Sequence, residues 1–461
     1  LKNILRVLSS NFLVAILGFI SSFIFPRILT IDAYALYHTF TLYIGYIGIL
    51  HLGFPSGMVI KYAGKHYDGM DKRQYKSEIF LVLLILTCFT LLFASISIIM
   101  RNRMVAFVAC AIIPVCIINS YRSLCQSWSE FKLYTRISTI LAIAVPLLAL
   151  LYFCATKNLP GEVYIVTYLI VYWIVTICLL IRDWKFFRGI KRNRFFTKTN
   201  YQTEKIGLAL VLGNYINVLF LSVDKQFIKI YFGITEFAFY SFGMSMQNLM
   251  TVFITSIAQP LFPVMAQGKL NDEEYNKVKN LLIVFGSFSG CAYFATSFIV
   301  KHFIQKYIGS LEIVGIYFLV FPALAVINCL YINLYKIKRM LKQYIITLVS
   351  ILFTAVLLNV VLIHYMQYYT GVAIATTITY FIWFTIGFFQ FKFLKLTFKD
   401  ITYLIIYMIA FLKITRGLGD IIGFATYFMF IFLLATIFYK NELVNFILKK
   451  RHVQKLSCSN E

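Results

Sequence analysis

The stretch IDAYALY, residues 31–37, returns as ITEFAFY at residues 234–240, displaced by 203 residues. The same displacement, without a gap, pairs Asn11 with Asn214, so the similarity extends into the segment that precedes each copy. Weak internal symmetry of this kind is typical of a chain built from two related halves. The repeat therefore predicts two blocks of structure whose first helices are equivalent.

Composition indicates the class of protein in which these blocks lie. Hydrophobic residues make up 61% of the chain, charged residues make up 13%, and the mean hydropathy is +0.81, values that are typical of integral membrane proteins. Apolar runs of about 20 residues, long enough to cross a hydrocarbon core of about 30 Å, follow one another almost without interruption. The strict two-residue alternation of a membrane β-barrel is absent, so these runs are predicted to be helices.

An all-α polytopic membrane protein with 14 crossings is predicted, and 12 crossings is the alternative. The spans of the first block are residues 7–25, 36–60, 79–100, 104–121, 137–156 and 163–181. The spans of the second block are residues 206–223, 237–262, 280–300, 313–334, 344–366 and 370–391. Two more segments follow at 401–412 and 421–439, and the first of them is short enough to be tilted or re-entrant. The predicted domains are an N-lobe at 1–181, a basic cytoplasmic linker at 182–205, a C-lobe at 206–391, and a C-terminal helix pair with a cytoplasmic tail at 392–461.

The direction of the two blocks follows from the number of crossings between them. The equivalent first helices are separated by an even number of crossings, so both blocks enter the membrane in the same direction. They are predicted to be parallel repeats about an axis along the membrane normal, an arrangement typical of transporters whose lobes rock about a central cleft. Four prolines support such motion by bending the second and fourth helices of each block. They are Pro55, Pro114, Pro260 and Pro322.

Charge predicts the orientation in the membrane, because Lys and Arg in short loops are retained on the cytoplasmic side. The face that carries the N-terminus holds 33 of the 43 Lys and Arg residues, so both termini are predicted to be cytoplasmic. The net charge of +25 is then mostly a topology signal, which excludes a nucleic-acid-binding domain. The basic linker is expected to contact anionic headgroups as well.

Motifs for catalysis, metals and cofactors are missing from the sequence. No GxxxxGK[ST] loop occurs, so ATP hydrolysis by a P-loop mechanism is excluded. The nine cysteines form no CxxC pair and have no zinc spacing, which predicts packing roles and no metal. His51, within a predicted span, is interpreted in the same way as a packing residue rather than a catalytic one. The sequence therefore predicts no cofactor.

Two longer stretches resemble a known family. They are FPRILTIDAYALYHTFTLYIGYIGILHLGFPSGMVIKYAGK at residues 25–65 and SVDKQFIKIYFGITEFAFYSFG at residues 222–243. Together with the plan of twelve to fourteen helices, they resemble the bacterial O-antigen flippases of the polysaccharide transporter family, in the superfamily that includes multidrug and toxin extruders. The resemblance implies movement of an undecaprenyl-diphosphate-linked oligosaccharide from the cytoplasmic to the periplasmic leaflet of the inner membrane, for O-antigen or capsule assembly. It also implies membrane lipids, a polysaccharide polymerase and chain-length machinery as partners.

Two other functions stay open. A cation-coupled exporter of small molecules on the same fold would require a carboxylate site in the first lobe, and no acidic residue lies in the middle of that lobe's predicted spans. A membrane-embedded polysaccharide polymerase or acyltransferase would require a long periplasmic loop or an acid/base cluster, and the predicted loops contain neither. Both functions are therefore less favoured than flipping.

Three basic residues are candidates for binding an anionic cargo. Arg27 follows the first helix and is predicted to hold the diphosphate as a bidentate donor, with snorkelling to outer headgroups as the alternative. Lys61 and Arg122 lie at the cytoplasmic ends of the second and fourth helices. They are predicted to line the inward mouth of the cleft and attract the diphosphate, and the alternative is that they act only as topology signals.

The repeat also assigns a depth to Asp224 and Lys225. The displacement of 203 residues places them level with Ser21 and Ser22, which precede Arg27 by more than a helical turn. Ionisable residues at such depth usually face a cavity or each other. Asp224 is predicted to face the cleft as a gate or proton-sensitive group, and Lys225 to meet the cargo or snorkel outward. The alternative is a helix that ends early and leaves both residues in periplasmic water.

Overall fold

A computed structural model describes residues 2–62, 71–128, 130–186, 198–268 and 270–458 of the protein. Within these ranges the chain forms α-helices with two short 3₁₀ and π segments, and it contains no β-strand. The predicted all-α fold class is confirmed. The helices are α1 (Lys2–Ile28), α2 (Ile31–Ile47), α3 (Phe54–Lys61), α4 (Lys72–Met100), α5 (Arg103–Ser127), α6 (Phe131–Thr156), α7 (Gly161–Phe186), α8 (Lys198–Tyr231), α9 (Ile234–Ala266), α10 (Asp272–Phe288), α11 (Cys291–Phe303), α12 (Leu311–Phe318), α13 (Phe321–Val326), α14 (Ile332–Ile337), α15 (Leu341–Met366), α16 (Thr370–Gln390), α17 (Phe398–Gly417) and α18 (Asp420–Cys458).

Most of the predicted spans correspond to helices that can cross a membrane. In the described part of the chain, 10 helical stretches are long and apolar enough, and an eleventh is added when the bent pair Gln305–Phe318 and Phe321–Ile337 is taken as one span. The other three predicted spans correspond to α1, to the broken pair α2 and α3, and to α17. At 20 residues, α17 has the length of a crossing, but Lys and Arg lie close to both of its ends. The predicted span at 421–439 ends where the backbone of α18 kinks at Tyr439.

The repeat seen in the sequence is visible in the helix boundaries. Helices α2 and α9 begin at Ile31 and Ile234, the first residue of each copy of the repeated motif. The helices before them end at Ile28 and Tyr231, which are related by the same displacement. Thr30 starts α2 because its side chain accepts a hydrogen bond from the backbone N–H of Ala33 at 3.1 Å. The motif therefore encodes the turn that connects the first two helices of each block.

The prediction of one continuous span at 36–60 is wrong. Helix α2 ends at Ile47, and α3 begins at Phe54. Between them Leu52 and Gly53 have positive φ values of 49° and 79°, which a right-handed helix does not tolerate. Glycine adopts such a value without steric cost, so Gly53 provides the turn that leads into α3.

The prolines have different effects in the two blocks. Pro322 lies in the first turn of α13, where the chain is bent by 54° between two helical segments, as expected for a residue that removes a backbone donor. Pro114 lies inside α5, which stays a single helix from Arg103 to Ser127. Only one of the two fourth spans is therefore broken.

Contacts between Cα atoms divide the chain into two compact units, residues 1–225 and residues 226–461. The division lies inside α8, whereas the sequence predicts a linker at 182–205, the end of which overlaps the first residues of the same helix. The predicted domain limits stay a prediction. The central part of the predicted linker, residues 187–197, lies outside the described residues.

In the first unit, α3 and α8 approach each other with backbone in direct contact. A Cβ atom added to Gly207 would lie 1.9 Å from the carbonyl oxygen of Gly53, and one added to Gly57 would lie 2.0 Å from the carbonyl oxygen of Thr203. Only residues without a Cβ fit at such a distance. These glycines therefore set the distance between the two helices.

In the second unit, a buried ion pair connects α10 to α17 and α18. Lys279 pairs with Asp400, and each side chain is 1% exposed. The ammonium group of Lys279 also donates to the carbonyl oxygen of Lys395 at 2.6 Å, and the hydroxyl of Tyr439 donates to Asp400 at 2.6 Å. Buried charges are stable only when a counter-charge and hydrogen bonds surround them in this way. The pair therefore serves to hold α17 and α18 against α10.

Candidate functional site

A cavity of about 310 Å³ lies inside the first unit, among α1, α2, α5, α6 and α7. Its walls combine apolar side chains with one cation, two serines and four tyrosines. The lining residues are Val14, Gly18, Ser21, Tyr37, Arg122, Ser138, Leu141, Ala142, Val145, Pro146, Tyr164, Tyr168 and Tyr172. A few polar groups that converge in a largely apolar cavity are typical of a ligand site. We therefore take this N-lobe cavity as the candidate functional site.

Regular helix geometry explains how these side chains converge. Tyr164, Tyr168 and Tyr172 recur every four residues on α7, and side chains at that spacing lie on one side of a helix. The lining residues of α6 run from Ser138 to Pro146 at intervals that also keep them on one face. Each of these helices thus presents a single continuous face to the cavity.

Arg122, on α5, provides the positive charge of the cavity. Its guanidinium carbon lies 5.6 Å from the ring centroid of Tyr134, a distance typical of a cation–π contact. Its Nε atom is buried and has no hydrogen-bond partner among the described residues. No carboxylate in the described part of the chain lies within ion-pair distance of Arg122. The charge is therefore available to an anion that enters the cavity.

Ser138 provides a second polar atom that lacks a protein partner. Its side chain is 5% exposed. Its Oγ atom is buried and has no hydrogen-bond partner within the described ranges. Most buried polar groups in folded proteins have a partner, so one that lacks it needs an explanation. Arg122 and Ser138 line the same cavity, which suggests a common explanation.

The tyrosines form aromatic pairs along the cavity wall. The rings of Tyr168 and Tyr172 are stacked with centroids 4.0 Å apart and planes at 19°. The rings of Tyr37 and Tyr164 lie 4.4 Å apart, and Phe25 stacks on Tyr164 at 4.6 Å. A tyrosine combines an apolar ring with a hydroxyl that both donates and accepts hydrogen bonds. This wall therefore suits a ligand that has apolar faces and many hydroxyl groups.

Buried hydrogen bonds fix the part of α5 that carries Arg122. The hydroxyl of the preceding residue, Tyr121, donates to Oδ2 of Asp183 on α7, and the hydroxyl of Tyr75 on α4 donates to the same oxygen at 3.3 Å. Tyr121 is 0% exposed and Asp183 is 2% exposed. A carboxylate at this burial is retained only with donors around it. The network therefore holds α4, α5 and α7 together next to the cavity.

Two predicted site residues lie outside the cavity lining. Arg27 is exposed in the last turn of α1. Lys61 forms an ion pair with Glu78, whose side chain is 0% exposed. The same carboxylate also accepts hydrogen bonds from the hydroxyl of Tyr62 at 2.6 Å and from Nε2 of Gln74 at 3.1 Å. Lys61 thus has a structural partner, and cargo binding by Lys61 or Arg27 stays a prediction.

The other two predicted residues lie within α8, which continues beyond the predicted end of its span at residue 223 to Tyr231. Asp224 is 3% exposed. Lys225 is partly exposed, and it interacts electrostatically with His38 on α2. The Nδ1 atom of His38 is buried and has no hydrogen-bond partner in the part of the chain that the structure describes. The predicted roles of Asp224 and Lys225 in gating stay untested.

The sequence named Arg122 as a candidate but not the side chains around it, and cargo binding by Arg122 stays a prediction. The tyrosines did leave a signal, because Tyr164, Tyr168 and Tyr172 recur along α7 at the four-residue period of one helix face. Ser138 and Tyr37 left none, since a single serine or tyrosine in an apolar helix is common. The described residues contain no group of three His, Cys, Asp or Glu side chains that could hold a metal ion.

Comparison with known proteins gives one family and one fold. Residues 1–269 match the family described as "Polysaccharide biosynthesis protein". The chain also matches the solved structure titled "Lipid II flippase MurJ, inward closed conformation", with a TM-score of 0.73 and 15% sequence identity. That match covers 95% of this chain and 99% of the other. No curated protein sequence matches this chain.

Proposed function

Because the chain belongs to the polysaccharide biosynthesis protein family, we propose that it flips undecaprenyl-diphosphate-linked oligosaccharide repeat units from the cytoplasmic to the periplasmic leaflet. The protein moves the units by alternating access in the bacterial inner membrane, and the flipped units are used for the assembly of O-antigen or capsular polysaccharide. The similarity in fold to a protein named as a lipid flippase supports a transport function. At 15% identity this similarity shows the fold alone, so the support for the cargo comes from the chemistry of the cavity.

The observation that carries this proposal is the unpaired cation among tyrosine hydroxyls inside a lobe of apolar helices. A polar headgroup cannot cross hydrocarbon unaided, because each unsatisfied polar group costs several kcal/mol there. A lipid tail needs no such help and can stay in the bilayer. A protein that moves the headgroup must therefore offer it charge and hydrogen bonds within the apolar layer, and the N-lobe cavity contains both.

The proposal includes an orientation and a set of partners. The excess of Lys and Arg on one predicted face favours a cytoplasmic location for both termini. Membrane lipids surround the apolar helices, and a polymerase with its chain-length machinery receives the flipped units. Reporter fusions that are active only in the cytoplasm or only in the periplasm, placed after residue 186 and at the C-terminus, test the orientation. Activity of the periplasmic reporter at either position would contradict it.

A reconstituted transport assay tests the function. The purified chain is placed in liposomes whose inner and outer leaflets both contain a lipid-linked oligosaccharide, and a soluble glycosidase outside cleaves the exposed sugars. Without flipping, cleavage stops when the outer leaflet is exhausted, at about half of the total. With the active protein, cleavage goes to completion. Arg122→Gln is expected to slow the second phase, whereas Arg103→Gln is expected to leave it unchanged, since Arg103 is exposed and pairs with Glu162 outside the cavity.

The same preparation distinguishes the other functions. An exporter would move a small organic cation out of loaded liposomes and leave the lipid-linked sugar in its leaflet. A polymerase or acyltransferase would change the mass of the lipid-linked sugar, which mass spectrometry detects. Cleavage that stops at half, with the native protein folded and inserted, would refute the flippase proposal.

A further inference from the structure

We propose that the N-lobe cavity is a subsite for one sugar residue that carries a single carboxylate, a uronic-acid-type unit within the oligosaccharide cargo. This inference rests on the proposed function, because it names the part of the cargo that the cavity receives. It assigns the subsite to an acidic sugar rather than to the diphosphate. Four properties of the cavity support it: the unsatisfied atoms, the charge, the aromatic wall and the volume.

The first property is the pair of unsatisfied polar atoms. Nε of Arg122 and Oγ of Ser138 are both buried, and neither has a hydrogen-bond partner among the described residues. A buried polar group without a partner destabilises the folded protein. Two such groups on the wall of one cavity are explained if a ligand with oxygen acceptors satisfies both. The Ser138 side chain is 5% exposed, so a ligand inside the cavity is what can reach it.

The second property is the number of charges. Among the lining residues that the structure describes, Arg122 is the only Lys or Arg, and none is Asp or Glu. A guanidinium group binds one carboxylate with two parallel hydrogen bonds, so charge and geometry match one to one. A diphosphate carries more than one negative charge and would leave part of its charge unpaired in an apolar cavity. The cavity therefore suits a monoanion.

The third property is the aromatic wall. The stacked rings of Tyr168 and Tyr172 and the paired rings of Tyr37 and Tyr164 offer apolar faces next to hydroxyl groups. A pyranose ring has the matching pattern, with C–H groups on its faces and hydroxyls at its edge. Tyrosine hydroxyls both donate and accept, so they can pair with sugar hydroxyls in either sense. A small inorganic anion would use none of this wall.

The fourth property is size. At about 310 Å³, the cavity is at the lower end of the range of small-ligand sites, which is about 300–1,000 Å³. One sugar ring with its carboxylate fits this volume, whereas a whole repeat unit with diphosphate and lipid does not. The cavity is thus a subsite for one residue of the cargo.

A binding experiment with simple probes tests the subsite. Methyl glucuronide and methyl glucoside differ by the carboxylate alone, and saturation-transfer NMR measures their binding to the purified full-length protein in detergent. The native protein is expected to bind the glucuronide at least tenfold more tightly than the glucoside, because a hydrogen-bonded charge pair contributes about that factor. Arg122→Gln should remove the preference. Arg103→Gln, which removes an exposed arginine from the same helix, should keep it.

A second variant keeps the test informative if Arg122→Gln does not fold. Ser138→Ala removes the hydroxyl and leaves the charge, and it is expected to weaken glucuronide binding about threefold or more. Equal binding of the two sugars to the native protein would overturn the inference. A preference that survives in a folded Arg122→Gln variant, or glucuronide binding that Ser138→Ala leaves as tight as in the native protein, would also overturn it.

Transport separates this inference from the proposed function. Lipid-linked oligosaccharides with and without a uronic acid are offered to the same proteoliposomes. If the native protein flips both and Arg122→Gln slows only the acidic one, both proposals stand. If Arg122→Gln slows the two cargoes equally, the subsite fails and the flippase stands. If the native protein flips neither but still prefers the glucuronide in solution, the flippase fails and the acidic-sugar site stands.

Discussion

Substitution of Gly207 by alanine tests the packing of α8 in the first unit. The added Cβ would lie 1.9 Å from the carbonyl oxygen of Gly53, about 1.5 Å short of the 3.4 Å at which ordinary contact begins. The three nearest atoms are all backbone, because the carbonyl carbon of Gly53 and the amide nitrogen of Gly57 would each lie 2.7 Å from the added Cβ. No side chain can rotate away to make room. The two helices must therefore move apart by more than an ångström.

The cost follows from this displacement. Overpacking by one carbon typically destabilises a protein by about 1–3 kcal/mol, and rigid backbone on both sides places Gly207→Ala at the upper end, about 3 kcal/mol. For a unit of about 200 residues, each kcal/mol lowers the melting temperature by about 2–4 °C. The expected decrease is therefore about 6–12 °C. The usual gain in helix propensity from Gly to Ala, up to about 1 kcal/mol, reduces this only slightly.

Melting in detergent at a fixed scan rate, followed by the loss of the monodisperse peak in gel filtration, measures the change. Gly45→Ala is the matched control, because Gly45 lies on α2 and its added Cβ would meet only Cγ1 of Val218 at 3.9 Å, an ordinary contact. The control is expected to melt within about 2 °C of the native protein. Equal melting temperatures for the native protein, the control and Gly207→Ala would refute the close contact between α3 and α8.

Three further predictions concern charged residues. Lys61→Met should lower the melting temperature, because it leaves the buried Glu78 without its cation. Adding Glu78→Gln to this variant should restore both the melting temperature and transport. If the melting temperature is restored and transport is still lost, Lys61 has a role in cargo binding. Lys279→Met should lower the free energy of unfolding, measured by denaturant titration, by about 3–5 kcal/mol. Adding Asp400→Asn to this variant should recover part of the lost free energy. Equal stability of both variants and the native protein would contradict the buried pair. Asp224→Asn should slow flipping, because it removes a buried charge from α8. Unchanged transport together with rapid labelling of Asp224→Cys by an impermeant thiol reagent would contradict a gating role.

Most of the fold could be predicted because membrane helices follow from one dominant physical requirement. Apolar runs of about 20 residues must become helices in hydrocarbon, since no other open structure satisfies their backbone. The repeated motif added the connections, and helices α2 and α9 begin at its first residue. The break between α2 and α3 could not be predicted in this way, because it depends on the backbone conformation at Leu52 and Gly53 in a stretch that stays apolar on both sides.

The candidate site was less accessible to prediction. Arg122 was found because a charge at the end of an apolar span is conspicuous in a sequence. The partners of Lys61 were not, because the pairing with Glu78 depends on how α3 and α4 pack. The wall formed by Tyr37 and Ser138 depends in the same way on the positions of several helices. A sequence shows which residues are polar, and packing decides which of them have hydrogen-bond or ion-pair partners.

The presence or absence of hydrogen-bond and ion-pair partners separates structural charges from functional ones in this protein. Glu78 and Asp400 are buried acids with a paired lysine and further hydrogen-bond donors, and removing either partner is expected to harm the fold first. Arg122 is partly buried, no carboxylate in the described residues lies within ion-pair distance of it, and its Nε atom has no partner among them. Retaining such a group in an apolar lobe costs stability, because its charge is unpaired. Its retention is explained if an anion occupies the cavity during the working cycle, and this is why loss of Arg122 should affect cargo selection more than folding.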